Sequence, residues 1–452
     1  MRKLHFIPSG LSCLFFLLII SNSLLAWSEH PMLAKPALKD LEIWKKADSV
    51  QAKSLQQFLM ETETALAAFL KEYNSKALSK FPNCPPVPVD LEFAATGDAA
   101  SVLQRFYQAI RVNPNIKVPL YLYVLPGESD FGRPKADPAA ITTLNKLGSM
   151  VHTHYVWLQE GEWLQPLEVL STANNEPDYG FDLGLFEDNN TAYGQIYGFG
   201  NQSFGNPNLE YSSQAPFHMG FYHEAGILYR FGPFLKQTYL DYRADLYKNL
   251  AVFAFQQQQD YWGWRFLGWS MHYIADATMP YHTKPLPGYS TLRMMWINLK
   301  AMLGFTKART NAVQLVSNKH TVIEDFQYQE LMKAHQTQNW NHPYLVALTN
   351  PAPMVDFSDR FIYDIASRTA ADASVKMNKT MKKYFPYHMV SDPSVEVSTL
   401  PELDRVSEIV LETKGTEGVD ALNQTIADRF KVLGMSLRSI LFAVMQESGK
   451  EV

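Results

Sequence analysis

The chain has 452 residues and is 46% hydrophobic, which is enough apolar material for one large domain or a few smaller ones. Its formal net charge of −5 argues against binding nucleic acid through bulk electrostatics, although not against cleaving it. Of the two cysteines, Cys13 lies in the apolar N-terminal stretch and Cys84 stands alone. The sequence therefore predicts no internal disulfide, and bound metal is one candidate for added stability.

Residues 1–26 have the pattern of a secretory signal peptide. Arg2 and Lys3 precede the apolar run "LSCLFFLLII", which is too short to span a bilayer well, and the small residue Ala26 stands directly before Trp27. We therefore expect cleavage after Ala26 and a secreted protein, which would pass through the periplasm of a Gram-negative cell.

The first half of the remaining chain mixes helical and extended patterns. Apolar residues at helical spacing predict four helices, over 31–47, 54–73, 98–110 and 137–148. In the last of these, Asp137 is the expected cap and Gly148 the stop. The proline-rich stretch "FPNCPPVPVDLEF" excludes a helix, and "IKVPLYLYVLPGESD" is typical of short strands or an ordered loop.

The second half is predominantly helical. After a long loop over 184–214, rich in Gly, Asn, Tyr and Ser, the pattern predicts helices over 216–230, 238–258, 261–277 and 307–335 and a last one over 423–446. The fold class expected from these elements is mainly α.

Two pairs of metal-ligand residue types recur at helical spacing. His272 and Asp276 are separated by four positions, as are His320 and Glu324, so each pair shares one helix face. His282 follows the first pair in a turn begun by Pro280 and need not bind the same ion. Imidazole and carboxylate at this spacing form a natural half-site for zinc. A single such pair is more often a hydrogen bond in the core, whereas two pairs with a flanking histidine favour metal.

The expected start of the mature chain adds a third set of ligands. If cleavage exposes Trp27, its amine and carbonyl can chelate an ion as a five-membered ring, with His30 three residues further on. A tryptophan is unusual at a frayed terminus, which is normally small and polar.

Taken together, these motifs resemble the bacterial zinc-dependent phospholipase C family, to which the S1/P1-type nucleases are distantly related. The resemblance is carried, in order, by Trp27, by His30, by a Pro-Asp and a Phe-His, and by the patterns His-x-x-x-Asp-x-x-x-Pro-x-His and His-x-x-x-Glu. It implies a mainly helical catalytic domain over 27–452 that holds three zinc ions in a cleft. The extra length then falls in an insertion of mixed or extended structure at about 80–170.

The resemblance also assigns the ligands. One zinc would be held by Asp178, His218, His272 and Asp276; the second by bridging Asp276, the Trp27 amine and carbonyl, and His30; the third by His282, His320 and Glu324. Asp178 would also act as the general base. Asp182 competes with Asp178 for its place, and His223 competes with His218. By the same resemblance, Glu29, Tyr179 and Phe217 would surround the substrate head group.

The function expected is that of a secreted tri-zinc phosphodiesterase. It would act as a monomer at a phospholipid membrane surface, hydrolysing phosphatidylcholine or a related lipid to diacylglycerol and a phosphorylated head group, and nucleic acid is not expected as a partner. The alternatives are a secreted S1/P1-type nuclease of single-stranded nucleic acid, with base-stacking slots in place of a head-group pocket, and a non-catalytic binding protein stabilised by metal.

Overall fold

The computed structural model describes residues 27–450, so the predicted signal peptide lies outside the described residues. Helices account for 61% of the residues and strands for 3%, which makes the fold mainly α as predicted. The α-helices are α1 His30–Leu38, α2 Ile43–Lys46, α3 Leu55–Lys80, α4 Val102–Ala109, α5 Pro166–Ala173, α6 Ala215–His218, α7 Gly226–Phe231, α8 Leu240–Gln256, α9 Asp260–Asp276, α10 Pro280–Thr283, α11 Thr291–Met302, α12 Lys307–Gln336, α13 Pro343–Thr349, α14 Ser367–Tyr384, α15 Tyr387–Val390 and α16 Val406–Ser448.

Helix α9 lies at the centre of the molecule. Almost every residue of "DYWGWRFLGWSMHYIAD" is buried, as expected for a helix that is apolar on all sides. It packs against α8, α5 and α16. At Gly268 the contact with α5 is so close that an added Cβ would lie 2.6 Å from the Leu170 carbonyl oxygen and 2.7 Å from the Ala173 Cβ. A side chain at this position would therefore force the two helices apart.

The strands are short and lie in or beside the insertion. β1 Val50–Gln51 pairs with β4 Trp163–Leu164, and β2 Tyr121–Val124 pairs with β3 His154–Trp157, both antiparallel. Side chains from these segments, among them Tyr121 and Tyr155, belong to the same hydrophobic cluster as α9. Residues 80–170, the predicted insertion, thus have the mixed, extended character that was expected, and they share the main core.

Three predicted helices differ from the structure. Residues 137–148 form only a 3₁₀ turn at Pro138–Ala140, capped by Asp137, before a second 3₁₀ turn at Gly148–His152. The chain leaves the helix at Thr143, whose N–H donates to the Tyr179 carbonyl instead of to a carbonyl of the preceding turn, and the Thr142 hydroxyl donates to the same oxygen.

The predicted helix over 216–230 is interrupted after α6 and resumes only at α7. Between them the Gly220 N–H donates to the His282 carbonyl at 2.8 Å, a tertiary bond that replaces a helical one. The predicted helix over 31–47 is likewise divided, because it ends as α1 at Leu38 and α2 begins at Ile43.

Candidate metal centre

The first pair of ligand-type residues, His272 and Asp276, lies on the C-terminal part of α9 in the interior of the protein. His272 and Asp276 are both fully buried. The His272 Nδ1 lies 2.9 Å from the Asn174 carbonyl oxygen, which can only accept, so Nδ1 carries the proton and donates it. The lone pair of Nε2 then points towards the other ligand-type side chains, 3.5 Å from the Asp178 Oδ1 and 3.6 Å from the Asp276 Oδ2.

His218, at the end of α6, is positioned by aspartates on both sides. Its Nδ1 lies 2.9 Å from the Asp276 Oδ2, and its Nε2 lies 3.5 Å from the Asp182 Oδ2. Burial lowers the pKa of His218, but its bonds to Asp182 and Asp276 outweigh burial and raise the pKa to about 10. A metal ion bound at Nδ1 would therefore displace a proton.

The alternative aspartate, Asp182, lies behind His218 instead of beside His272. Its Oδ1 accepts from Arg243, with Nη2 at 2.7 Å, and its Oδ2 accepts from the Tyr273 hydroxyl at 2.6 Å. Both of its oxygens thus have partners, whereas the Asp178 Oδ1 has none within residues 27–450. Asp178 is the aspartate that the structure places among the ligands, and Asp182 orients His218.

His30 completes this part of the centre from the start of α1. Its Nε2 lies 3.9 Å from the Asp276 Oδ1 and 4.0 Å from the Asp178 Oδ2. Neither ring nitrogen has a hydrogen-bond partner within the described part of the chain. Two groups whose ligand atoms lie within 4.8 Å of one another result, namely His30, His272 and Asp276, and Asp178, His218 and His272.

A third group forms where α10 meets α12. The His282 Nδ1 donates to the His218 carbonyl at 2.8 Å, and the His320 Nε2 lies 2.7 Å from the Glu324 Oε1. Burial lowers the pKa of His282, and it lowers the pKa of His320 to about 3, so both imidazoles are neutral at pH 7, the form that binds metal. The ligand atoms of these three side chains also lie within 4.8 Å of one another.

The residues present fit metal ions. Among the buried polar atoms that lack a hydrogen-bond partner within residues 27–450 are the following: both ring nitrogens of His30, Asp178 Oδ1, Asp276 Oδ1, His282 Nε2, His320 Nε2 and Glu324 Oε1. A buried polar atom without a partner costs roughly 2–7 kcal/mol, so their concentration in one place calls for a ligand that pairs with all of them. Imidazole nitrogens with carboxylate oxygens are the donor set that zinc prefers. Three buried groups that could hold metal ions are thus present.

Two buried arginines that the sequence reasoning missed hold the loop that carries Asp178. Arg265 of α9 binds Glu176 through Nη2 at 2.6 Å, and Arg243 of α8 binds Asp182. The Trp269 indole also donates to Glu176. Both arginines are nearly inaccessible to solvent, so the loop is fixed on either side of Asp178. An arginine inside an apolar helix pattern was the signal that could have revealed them.

The residues predicted to surround the head group, Glu29, Tyr179 and Phe217, lie in two different parts of the structure. Glu29 and Tyr179 line a cavity of about 20 Å³ together with Asp178 and with Leu144, Leu147 and Gly148 of the insertion. Burial raises the pKa of Glu29, and its Oε2 has no partner among the described residues.

Phe217, in contrast, is fully buried in the core and packs against the rings of Phe186, Phe199 and Tyr239 in tilted and edge-on contacts. Phe217 is therefore not among the residues that line the cavity with Glu29 and Tyr179, and its place in a head-group pocket stays a prediction. The competing histidine, His223, binds the Ser367 hydroxyl at 2.9 Å and belongs to none of the three groups.

Trp27 is buried at the edge of the centre. Its indole donates to the Thr278 hydroxyl at 2.9 Å, and the next residue, Ser28, donates its N–H to Gln327 at 2.9 Å. Cleavage after Ala26, on which a free Trp27 amine depends, concerns residues outside the described range.

No family model matches the chain, and comparisons with curated proteins and with solved structures found no match either. The resemblance to zinc-dependent phospholipases C therefore stays a prediction from the motifs.

Proposed function

We propose that the protein is a secreted zinc-dependent phosphodiesterase that hydrolyses glycerophospholipids to diacylglycerol and a phosphorylated head group. The observation that carries this proposal is convergence: the eight side chains nominated as ligands from the motifs lie in three buried groups, two of which share His272. They come from distant parts of the sequence, and a chance resemblance gives no reason for them to meet.

The ions that fit these groups would be three zincs, with the Trp27 amine and carbonyl as further ligands of the second. When bound, zinc neutralises phosphate oxygens and lowers the pKa of a bound water. The residues themselves orient and isolate the reaction. The Asn174 carbonyl fixes the tautomer of His272, Asp182 lies 3.5 Å from the His218 Nε2, and all eight side chains are buried away from bulk water.

Asp178 is suited to the general base. It lies between two groups, with Oδ1 3.5 Å from the His272 Nε2 and Oδ2 4.0 Å from the His30 Nε2. An oxygen not engaged by metal can take the proton of the attacking water. Burial raises the pKa of Asp178, but the neighbouring imidazoles, first His272, outweigh burial and lower it, so the carboxylate is ionised and able to accept.

The residue types beside Asp178 favour a cationic head group over a nucleotide, although the cavity of about 20 Å³ that they line has room for only about one water molecule. The Glu29 carboxylate and the Tyr179 ring border this cavity, and an acidic group with an aromatic face suits a trimethylammonium. A nuclease would need a flat slot for stacking bases.

The test compares metal content with substrate. Purified chain beginning at Trp27 is expected to contain three zinc ions and to hydrolyse both phosphatidylcholine and a chromogenic phosphocholine ester, with single-stranded DNA left intact. Glu29→Gln is the matched variant, and we expect it to weaken hydrolysis of the choline ester more than that of an uncharged phosphodiester. Cleavage of DNA alone would establish the nuclease, and zinc without either activity would establish a binding protein.

A further inference from the structure

One face of the molecule is apolar and exposed where a soluble surface is normally polar. The exposed fractions are 79% for Leu292, 58% for Trp296, 58% for Met302, 67% for Leu303 and 68% for Phe305. These residues lie on α11 and the turn that follows it, and they are called here the α11 face. Its neighbours Phe231 and Ile227 on α7 are exposed as well. A contiguous apolar area of this kind marks an interaction site.

A groove of about 360 Å³ opens on this face. Its lining is almost entirely apolar and comes from three helices, with Leu228 on α7, Met294 and Ile297 on α11, and Val313 on α12. Leu292 and Trp296 of the α11 face border the same groove. The groove and the exposed face therefore form one continuous apolar surface.

The charge around this surface has one sign. Residues 285–323 contain five Lys and Arg residues, of which Lys319 is buried, and not a single Asp or Glu. Two of the five lie on aromatic rings of the surface, Arg293 at 4.3 Å from the Tyr289 centroid and Lys300 at 5.2 Å from that of Trp296. An amphipathic helix with tryptophan and basic residues beside its apolar side is the arrangement that lies in the plane of an anionic lipid interface.

The groove adjoins the third metal group. Val313 lies in the groove and His320 in the metal group, seven residues apart on α12, which corresponds to about 10 Å along a helix. On the other side, Pro285 of the groove follows His282 by three residues. No lining residue of the groove is itself one of the eight ligand-type side chains, so the groove is a neighbouring site for the acyl region and not part of the metal groups.

We propose that the α11 face rests on the surface of a bilayer containing anionic phospholipid, with the acyl region of a lipid entering the groove. This inference extends the proposed function and rests on it, because hydrolysis of phospholipids is the reason to expect that the protein meets a bilayer. Across the described residues, no helix is long and apolar enough to cross a membrane. The α11 face binds in the interface, as a 12-residue helix can.

A second copy of this chain fits the face less well than a bilayer does. A two-fold contact places the same patch of both copies together. In such a contact Arg293 and Lys300 of one copy would lie opposite the same cations of the other copy. Residues 285–323 contain no carboxylate that could pair with them. Phosphate groups of anionic lipid supply the missing negative charge.

The experiment measures flotation of the zinc-loaded protein with vesicles of phosphatidylcholine alone or mixed with phosphatidylglycerol. Leu292→Ser/Trp296→Ser is expected to weaken binding by about tenfold or more, because two large side chains lose their apolar contact with lipid. The matched control is Val89→Ser/Trp163→Ser, whose residues are exposed by 79% and 63% on the insertion. It should bind like the parent. Arg293→Gln/Lys300→Gln should remove the preference for phosphatidylglycerol.

A parallel assay of a soluble phosphocholine ester separates the two proposals. Unchanged ester hydrolysis with weakened flotation is expected, and it also shows that the variant is folded. Flotation that is absent in the parent, or equal in both double variants, overturns the α11 face as a membrane surface. A parent that is dimeric by sedimentation and made monomeric by Leu292→Ser/Trp296→Ser overturns it in favour of a second copy. Loss of flotation in a protein that hydrolyses no phosphodiester would support the surface and refute the enzyme.

Discussion

The two aspartates that compete in the sequence should respond differently to the same change. Asp182→Asn removes the charge that faces Arg243, whose guanidinium is fully buried. Breaking a buried ion pair costs about 3–5 kcal/mol, and because asparagine keeps one oxygen as an acceptor, we expect about 3 kcal/mol. In a chain of this length the melting temperature should fall by about 3 °C. His218 also loses its outer partner, so zinc content should drop as well.

Asp178→Asn, in contrast, breaks no pair with a buried arginine. We expect the fold to remain and the rate of phosphodiester hydrolysis to fall by about 100-fold or more, the usual scale for a general base. Thermal melting, zinc content and hydrolysis rate, measured on both variants, make the comparison. An active Asp178→Asn beside a stable but inactive Asp182→Asn would refute the assignment of the two roles.

Three further predictions concern the metal groups, acid stability and the N-terminus. His282→Ala should remove one zinc ion of three by elemental analysis, since its group is separate from the other two; loss of all three would argue for one shared site. Burial raises the pKa of Glu330, but its hydrogen bonds, first that with His342, outweigh burial and bring the pKa to about 2. Because this folded value is below the unfolded one, the stabilisation is present above about pH 4 and is lost as the pH falls towards 2. Denaturant titrations should therefore show the difference between the parent and Glu330→Gln shrinking over that interval, and a constant difference would contradict the reasoning. One extra residue ahead of Trp27 should abolish most activity and lower the zinc count, since an amide nitrogen cannot replace the amine as a ligand; equal activity with and without it would make Trp27 an ordinary buried anchor.

Within the candidate metal centre, the sequence could predict those ligand pairs whose two members lie on the same helix. The pairs on α9 and α12 follow from four-residue periodicity, because both members lie on one helix and need no tertiary information. His30 could be nominated from its position near the expected N-terminus, whereas Asp178 and His218 could be nominated only by resemblance, since each lies on a different short element. Their meeting depends on how those elements pack.

The errors arose where tertiary hydrogen bonds outweighed local preference. The Thr143 N–H donates to the Tyr179 carbonyl, and the Gly220 N–H donates to the His282 carbonyl, so the predicted helices over 137–148 and 216–230 break. No pattern of nearby residues reveals a partner that is tens of positions away. Phe217 illustrates the same limit, because its neighbours in the core come from three other segments.

The close approach at Gly268 has a consequence for anyone who would transplant this centre. Gly268 lies one helical turn before His272, and the segment it touches leads directly to Asn174, whose carbonyl fixes the His272 ring. Ordinary helix pairs are separated by 8–10 Å, a gap set by their side chains. A host scaffold built at that spacing would accept the same ligands yet hold Asn174 too far from His272. The glycine therefore belongs to the minimal portable unit of the site, although it offers no atom to a metal.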